Sequence, residues 1–140
     1  MTAHLFPLRV YYEDTDFSGF VYHARYLHFM ERARTEFLRE CGVDQRRLFE
    51  SHGGPCFFAV TSIEISFRRP ARMDDIVTVE TSVAEINAAS LALTQTVKRD
   101  AATLAEAAVT VAYLADGKPR RLPIALRDAL ARWRLTRPSG

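Results

Sequence analysis

One long amphipathic segment dominates the first third of the sequence and limits what the rest can form. From Tyr22 onward, apolar residues recur at steps of three, four and one: Tyr22, Tyr26, Phe29, Met30, Ala33, Phe37 and Cys41. This spacing predicts a helix over residues 21–41 with one apolar face, which Gly42 can end. A single helix of about five turns must then cover whatever sheet the remaining residues build.

The rest of the chain has the alternation typical of strands. Residues 6–14 favour a first strand, and period-two segments follow at 56–67, 76–86, 89–98 and 104–114. Pro123 can open a short C-terminal helix. The predicted fold class is α+β, with a five-stranded antiparallel sheet wrapped around one long central helix.

The segment 56–67 allows a prediction about which side chains face the core. Strict alternation places Phe57 and Ala59 on the same face as Ile63, with Ser62 and Glu64 on the other. We therefore expect Phe57 and Ala59 to belong to the apolar side of this strand.

Length and composition indicate one domain spanning residues 1–140. The chain has 140 residues, 48% of them hydrophobic and 26% charged, which is enough for a core without a metal or a disulfide. A net charge of +2 does not favour nucleic acid as a partner. No apolar run approaches the roughly 20 residues that cross a bilayer, so membrane insertion is not expected.

The two cysteines, Cys41 and Cys56, are expected to be buried free thiols in a chain that begins without a secretory signal. Neither a CxxC motif nor a His/Cys cluster at metal-ligand spacing occurs in the sequence. We therefore expect a cytoplasmic protein that binds no metal.

Acidic residues and a histidine are concentrated where the first strand leads to the helix. Glu13, Asp14, Asp16 and His23 fall within eleven residues. Asp14 is expected to end the strand, and Asp16 to lie before the helix N-terminus, where free N–H groups favour negative charge. Two roles for Asp16 remain open: it caps the helix, as Ser18 also could, or it is a catalytic carboxylate beside an oxyanion site.

His23 and Gly19 lie in the same segment. Gly19 lets the backbone approach a ligand closely, and His23, expected in the first helical turn, can hydrogen-bond a carbonyl or a carboxylate. A packing role for the His23 ring is the alternative. Glu31 and Glu64 are further carboxylates, and each is expected to lie at the surface or in an ion pair.

Three arginines, Arg68, Arg69 and Arg72, cluster at the end of a predicted strand. Guanidinium groups match phosphate oxygens, so this loop is a candidate site for a nucleotide-bearing substrate. The alternative is a solvated loop whose charges offset the two aspartates that follow. Common catalytic motifs such as GxSxG, the phosphate-binding loop, GxGxxG and HExxH are absent from the sequence.

Two stretches carry a resemblance to a known family. RVYYEDTDFSGFVYHARYLHFMERARTEFLRECG, residues 9–42, resembles the opening of hotdog-fold acyl-CoA thioesterases of the 4-hydroxybenzoyl-CoA thioesterase type. It is most like the branch associated with the Tol-Pal cell-envelope system. FFAVTSIEISFRRPARMDDIVTVET, residues 57–81, resembles the second and third strands of that branch. The DxDxxGxVYHxxY pattern is the specific part of the match.

The resemblance implies hydrolysis of acyl-CoA thioesters to free acid and CoA. It assigns Asp16 as the general base or nucleophile and the backbone N–H of His23 as the group that polarises the thioester carbonyl. Gly19, Tyr22 and Tyr26 fall on family positions and are expected at the oxyanion and substrate site. Arg68, Arg69 and Arg72 are then expected to hold the phosphates of CoA, and no cofactor is implied.

The family also implies an assembly and leaves alternatives. A homodimer with two sites at its interface is expected, commonly doubled to a homotetramer. Phe17, Ser18 and Phe20 depart from the small or aliphatic residues frequent in the family, and Phe17 and Phe20 are bulky enough to narrow the acyl site. Two other functions stay open: a hydratase or dehydratase on the same fold, and a non-catalytic adaptor that binds CoA or acyl carrier protein.

Overall fold

The secondary structure follows the expected order and contains two short additions. A computed structural model describes residues 3–50 and 55–134. The elements are β1 (His4–Arg9), α1 (Arg25–Glu40), α2 (Gln45–Phe49), β2 (Cys56–Phe67), β3 (Ile76–Ile86), β4 (Ser90–Arg99), β5 (Ala102–Ala115), β6 (Lys118–Pro119) and α3 (Ile124–Ala131). Helix α2 and the two-residue strand β6 are the elements that periodicity did not predict.

The strands form one antiparallel sheet in the order β1-β3-β4-β5-β2, with β6 paired to β5. Helix α1 packs against β1, β3 and β4, and its apolar face is fully buried through Phe29, Met30, Ala33 and Phe37. The predicted α+β class, with a sheet around one long helix and a short C-terminal helix, is confirmed. The core lies between α1 and the sheet.

The first strand is shorter than predicted. It ends at Arg9, and Tyr12–Asp14 forms a single 3₁₀ turn. The cause is Asp14, whose carboxylate accepts a hydrogen bond of 2.8 Å from the N–H of Tyr11 and bends the chain. The expectation that Asp14 ends the strand is therefore wrong.

Helix α1 begins at Arg25 rather than near residue 21. The preceding backbone is used by a neighbouring loop, because the N–H of Val21 donates to the carbonyl of Ala71 at 2.8 Å. Phe20 forms an isolated bridge with Arg72. These long-range backbone hydrogen bonds hold residues 20 and 21 extended, so the helical pattern extends further than the helix itself.

Strand β2 contains a bulge that reverses one of the predicted faces. Its pairing with β5 shifts by one residue at Thr61. As a result Phe58 and Val60, and not Phe57 and Ala59, lie opposite buried residues of β5. The prediction for Phe57 and Ala59 fails because one extra residue changes the parity of the alternation.

Cys41 and Cys56 are buried thiols that form no disulfide, as expected. Burial raises the pKa of the Cys41 thiol to about 11. At neutral pH this group is a thiol and therefore a poor nucleophile.

The sequence predicts neither a membrane-spanning helix nor a metal site, and the described residues bear on both predictions. None of the helices in these ranges is both long and apolar enough to span a bilayer. Within residues 3–50 and 55–134, no group of three or more His, Cys, Asp or Glu side chains is placed to hold a metal ion. The expectation that the protein needs no metal or cofactor stays a prediction.

Candidate active site

The acidic segment before α1 folds into a tight loop. Thr15 and Val21 form an antiparallel bridge across it. Inside the bridge, the N–H of Gly19 donates to the carbonyl of Asp16, and the N–H of Asp16 donates to the carbonyl of Phe20, both at 3.0 Å. Gly19 has a φ of 86°, a conformation that residues with a Cβ rarely adopt, so the loop depends on this glycine.

The carboxylate of Asp16 lies exposed on this loop with a defined orientation. Its Oδ1 accepts hydrogen bonds from the hydroxyl of Ser18 at 2.5 Å and from the N–H of Ser18 at 2.8 Å. These two bonds, with a smaller contribution from the charge of His23, lower the pKa of Asp16. The group is therefore ionised at neutral pH, and Oδ2 is not used in these bonds.

Helix capping does not explain Asp16. The N-cap of α1 is Ala24, which has no side-chain hydrogen bond to the helix. Asp16 and Ser18 instead hydrogen-bond each other within the loop. The capping alternative is wrong for both residues.

His23 lies two residues before α1 and not in its first turn. Its ring is exposed and meets the rings of Tyr22 and Phe67 edge-on, with centroids 4.6 and 6.0 Å apart. The backbone N–H of His23 donates a hydrogen bond to no group in the ranges 3–50 and 55–134. The Tyr26 N–H donates to the His23 carbonyl at 3.3 Å, which continues the path of the helix.

The two tyrosines of the motif have different environments. Tyr22 is 45% exposed beside His23. Tyr26 is buried, and its hydroxyl oxygen accepts a hydrogen bond of 3.2 Å from the N–H of Ala71. Burial raises the pKa of the Tyr26 phenol. Tyr26 thus joins the start of α1 to the loop after β2.

Asp14 is a buried site residue whose role the sequence did not reveal. Its carboxylate lies 3.2 Å from Nε of Arg25, and its carbonyl accepts the N–H of Tyr22 at 2.9 Å. With the bond from the Tyr11 N–H, these contacts connect the loop to the beginning of α1. The sequence offers one signal for this role, because Asp14 follows Tyr11 by three residues, which is the spacing of a capping box.

Of the three arginines that were grouped by sequence, Arg68 is set apart from Arg69 and Arg72 in the structure. Arg68 pairs with Glu106 of β5. The guanidinium of Arg72 lies over the ring of Phe20, 5.3 Å from its centroid, so it contacts the candidate catalytic loop directly. Arg69 is exposed.

A basic crevice of about 360 Å³ is lined by Arg69, Pro70, Arg72, Asp75 and Arg99. The sequence did not single out Arg99, which lies at the end of β4 and pairs with Asp75 at 2.8 Å. Asp75 also accepts the N–H of Arg72 at 2.9 Å and so fixes the loop beside Arg99. Arg99 is distant in sequence, and only the sheet order brings it here.

A sequence model of the thioesterase-like superfamily matches residues 10–133. The chain belongs to this superfamily. The match includes the Asp16 loop, α1 and the basic crevice, and it confirms the hotdog fold expected from the resemblance.

Individual relatives agree with this assignment. The chain is 46% identical over 113 residues to the acyl-CoA thioesterase YbgC of Haemophilus influenzae, covering 81% of this chain and 82% of that protein. It is 38% identical over 125 residues to the acyl-CoA thioester hydrolase YbgC of Escherichia coli O6:H1, covering 87% and 91%. A crystal structure of a probable thioesterase from Bartonella henselae superimposes with a TM-score of 0.83 at 44% identity, covering 86% of this chain and 99% of that one.

The two carboxylates set aside by sequence reasoning are both exposed. Glu64 lies on the face of β2 opposite the buried one, where its partner on β5 is the exposed Ala108. Glu31 lies on α1 and lines a separate cavity described below. In this thioesterase-like chain, Asp16 is the carboxylate that stands on the loop before α1.

Proposed function

We propose that this protein is an acyl-CoA thioesterase that hydrolyses the thioester to a free acid and CoA. The observation that carries the proposal is the ionised, exposed carboxylate of Asp16, held by Ser18 on the loop that precedes α1. The relatives named acyl-CoA thioesterase and thioester hydrolase support the same activity.

The proposed reaction uses few groups. Asp16 removes a proton from water, and the water oxygen attacks the thioester carbonyl carbon. The backbone N–H of His23 has no acceptor within the described residues. It donates a hydrogen bond to the thioester carbonyl oxygen, which becomes negative as the water attacks. The carbon–sulfur bond then breaks, and CoA leaves as a thiolate, which needs little acid assistance because the pKa of a thiol is about 8.5.

A second form of the reaction uses Asp16 as the nucleophile. Its carboxylate oxygen attacks the carbonyl carbon, the thiolate leaves, and a mixed anhydride remains until water hydrolyses it. The exposure of Asp16 supports both forms, because water and a carbonyl reach an exposed oxygen equally well. Single-turnover hydrolysis in ¹⁸O-labelled water tests the second form, because water that attacks the Asp16 carbonyl of the anhydride leaves solvent oxygen in the enzyme's carboxylate, which the first form never does.

The carrier is proposed to bind at the basic crevice. Arg69 and Arg72 provide guanidinium groups for the phosphates of CoA, beside Arg99, which is already paired with Asp75. The contact of Arg72 with Phe20 puts this crevice beside the Asp16 loop. Arg68 is the weakest of the predicted phosphate ligands because Glu106 already pairs with it. Acyl carrier protein, whose prosthetic arm also carries a phosphate, is the alternative carrier.

A homodimer is the proposed assembly, with a homotetramer as its doubled form. Strand β2 is at the edge of the sheet, and Val60 and Phe67 on it are 43% and 48% exposed. Phe17 on the Asp16 loop is fully exposed. Pairing of β2 with a second copy would cover the free strand edge and these side chains.

The proposed location is the cytoplasm, and the proposed context is the Tol-Pal cell-envelope system. Two buried cysteine thiols that form no disulfide support a reducing compartment. The Tol-Pal association rests on the resemblance of residues 9–42 to that branch.

The direct test is release of free thiol from a panel of short, long and aromatic acyl-CoAs by the purified protein. We expect turnover on at least one class. Binding of acyl-CoA without thiol release would support the adaptor instead, and hydration of an enoyl-CoA without thiol release would support the hydratase.

A further inference from the structure

A cavity of about 270 Å³ lies between the second half of α1 and the sheet. Its apolar wall includes Phe58 and Val60 of β2 and Leu93 of β4, and its polar side includes Glu31 and Arg34 of α1. The cavity is slightly smaller than a usual ligand pocket of about 300–1,000 Å³, so it has room for part of an acyl group and not for CoA.

Arg34 is fixed at this cavity by a buried amide. Gln95 of β4 is fully buried, and its Oε1 accepts a hydrogen bond of 3.0 Å from Nη1 of Arg34. Its Nε2 donates to the carbonyl of Met30 and to Oγ1 of Thr81, both at 3.0 Å. All three bonds require the same orientation of the Gln95 amide, with Oε1 toward Arg34. Gln95 therefore fixes the orientation of the Arg34 guanidinium.

Within residues 3–50 and 55–134, the remaining donors of Arg34 meet no protein acceptor. Among the described residues, no carboxylate lies within 4.0 Å of its guanidinium, and its one side-chain hydrogen bond is to Gln95. The side chain is half-buried, and this burial lowers the pKa of Arg34 while the charge of Glu31 raises it. A half-buried cation with free donors needs an acceptor, which neither the apolar wall nor Gln95 supplies.

The cavity lies in the groove between α1 and β2 and is lined by residues of both elements. At one end of the groove, Phe67 packs on His23 and Tyr26. At the other end, Val60 lines the cavity with Arg34. Tyr26 and Arg34 are eight residues apart on α1, which corresponds to about 12 Å at a rise of about 1.5 Å per residue.

We propose that this cavity receives the distal end of the acyl group and that Arg34 and Glu31 select an acyl group with a distal hydroxyl. The hydroxyl accepts a hydrogen bond from Arg34 and donates one to Glu31. A distal methyl would leave the donors of Arg34 unpaired, and a distal carboxylate would meet the negative charge of Glu31. This inference rests on the proposed thioesterase function and specifies its substrate class.

The test compares kcat/KM for ω-hydroxyacyl-CoAs and for unsubstituted acyl-CoAs of the same length, in hexanoyl, octanoyl and dodecanoyl series. We expect the wild-type protein to prefer the ω-hydroxyacyl form by about tenfold at one or more lengths, the effect of one good hydrogen bond. Arg34→Met, which keeps most of the apolar stem, should remove the preference while still hydrolysing the unsubstituted substrate. Arg32→Met is the matched control, because Arg32 is exposed on the same helix.

Equal kcat/KM for both forms at every length in the wild-type protein would overturn the inference and leave the thioesterase function intact. A preference that survives in Arg34→Met would overturn the role of Arg34. Calorimetry with the free acids, ω-hydroxydodecanoate and dodecanoate, gives a readout independent of turnover. If no acyl-CoA is hydrolysed, the proposed thioesterase function fails. The calorimetry then tests the cavity separately. Tighter binding of the hydroxy acid would support selection of a distal hydroxyl, and equal binding of the two acids would reject it.

Discussion

Nε of Arg25 lies 3.2 Å from Oδ1 of Asp14, and this ion pair connects the candidate catalytic loop to the first residue of α1. The Asp14 side chain is 10% exposed and that of Arg25 is 28% exposed, so water screens the pair only in part. The position of Asp16, two residues further along, therefore depends on a contact that Asp16 does not make itself.

Replacement of Asp14 by alanine is expected to lower the free energy of unfolding by about 2 kcal/mol, since it leaves the Tyr11 N–H and the Arg25 guanidinium without their buried partner. Urea denaturation measures this change, with Asp128→Ala on the exposed side of α3 as the control. Unchanged stability in Asp14→Ala would mean that the ion pair contributes nothing net. Activity should fall along with stability because the loop loses its link to α1.

Asp16→Asn tests the proposed catalytic group. The amide oxygen can still accept the N–H of Ser18, so the loop keeps its shape, but the base or nucleophile is lost. We expect kcat to fall by about 10² to 10⁴ while the circular dichroism spectrum is unchanged. Asp44→Asn is a matched control, because Oδ1 of Asp44 also accepts backbone N–H groups, those of Arg46 and Arg47.

Turnover of a folded Asp16→Asn protein within a few-fold of wild type would reject the catalytic role of Asp16. Attention would then move to Glu31 and Glu64. A large loss in Asp16→Asn but not in Asp44→Asn would separate catalysis from loop formation.

The pH dependence of activity should respond to Ser18. Its hydroxyl is the main cause of the lowered pKa of Asp16, so Ser18→Ala should raise that pKa. Because the ionised carboxylate is the active form, activity is lost as pH falls through the pKa of Asp16. The acid limb of the kcat/KM profile should therefore move to higher pH in Ser18→Ala and stay in place in Ser66→Ala, where the serine is exposed on β2.

Arg72 is expected to hold the carrier and not to take part in bond breaking. Arg72→Ala should raise KM for acyl-CoA with little change in kcat, because it removes an interaction present equally in the ground state and the transition state. The same variant should hydrolyse an acyl-pantetheine, which lacks the nucleotide, as the wild-type protein does. An equal fall in kcat, or the same loss with acyl-pantetheine, would contradict this role. Arg121→Ala, also exposed, is the control.

Tyr26→Phe separates packing from substrate binding. It removes the acceptor of the buried Ala71 N–H, which should lower the free energy of unfolding by about 1 to 2 kcal/mol. If the hydroxyl acts only there, KM and kcat should stay near wild type, as measured by thiol release and thermal denaturation. A large rise in KM without loss of stability would instead support the substrate-binding role expected from the family pattern.

Local sequence patterns predicted the elements well and their ends less well. The apolar face of α1 follows directly from its spacing, because burial selects the same period that the helix imposes. The start of α1 could not be predicted in this way, since Val21 is held extended by a hydrogen bond to Ala71, fifty residues further along the chain. Helical periodicity does not detect a competing partner so distant in sequence.

The candidate site was also predicted only in part, because residues of one short motif were found and residues distant in sequence were not. Asp16 and Gly19 belong to one short motif and could be recognised together. Arg99 and Gln95 belong to no recognisable motif, and their roles depend on which residues the fold places beside them. Polar residues of this kind carry no signal until the sheet order is known.

The single extra residue at Thr61 gives β2 an unusual sensitivity to length. Deleting Val60 while keeping the bulge at Thr61 and the pairing of the second half of the strand would turn Phe57 and Ala59 toward the cavity and turn Phe58 away from it. An alanine would then stand near the place of an aromatic ring or a valine, although no side chain had been substituted. In this fold, a change of one residue in strand length can redesign a binding pocket in a single step.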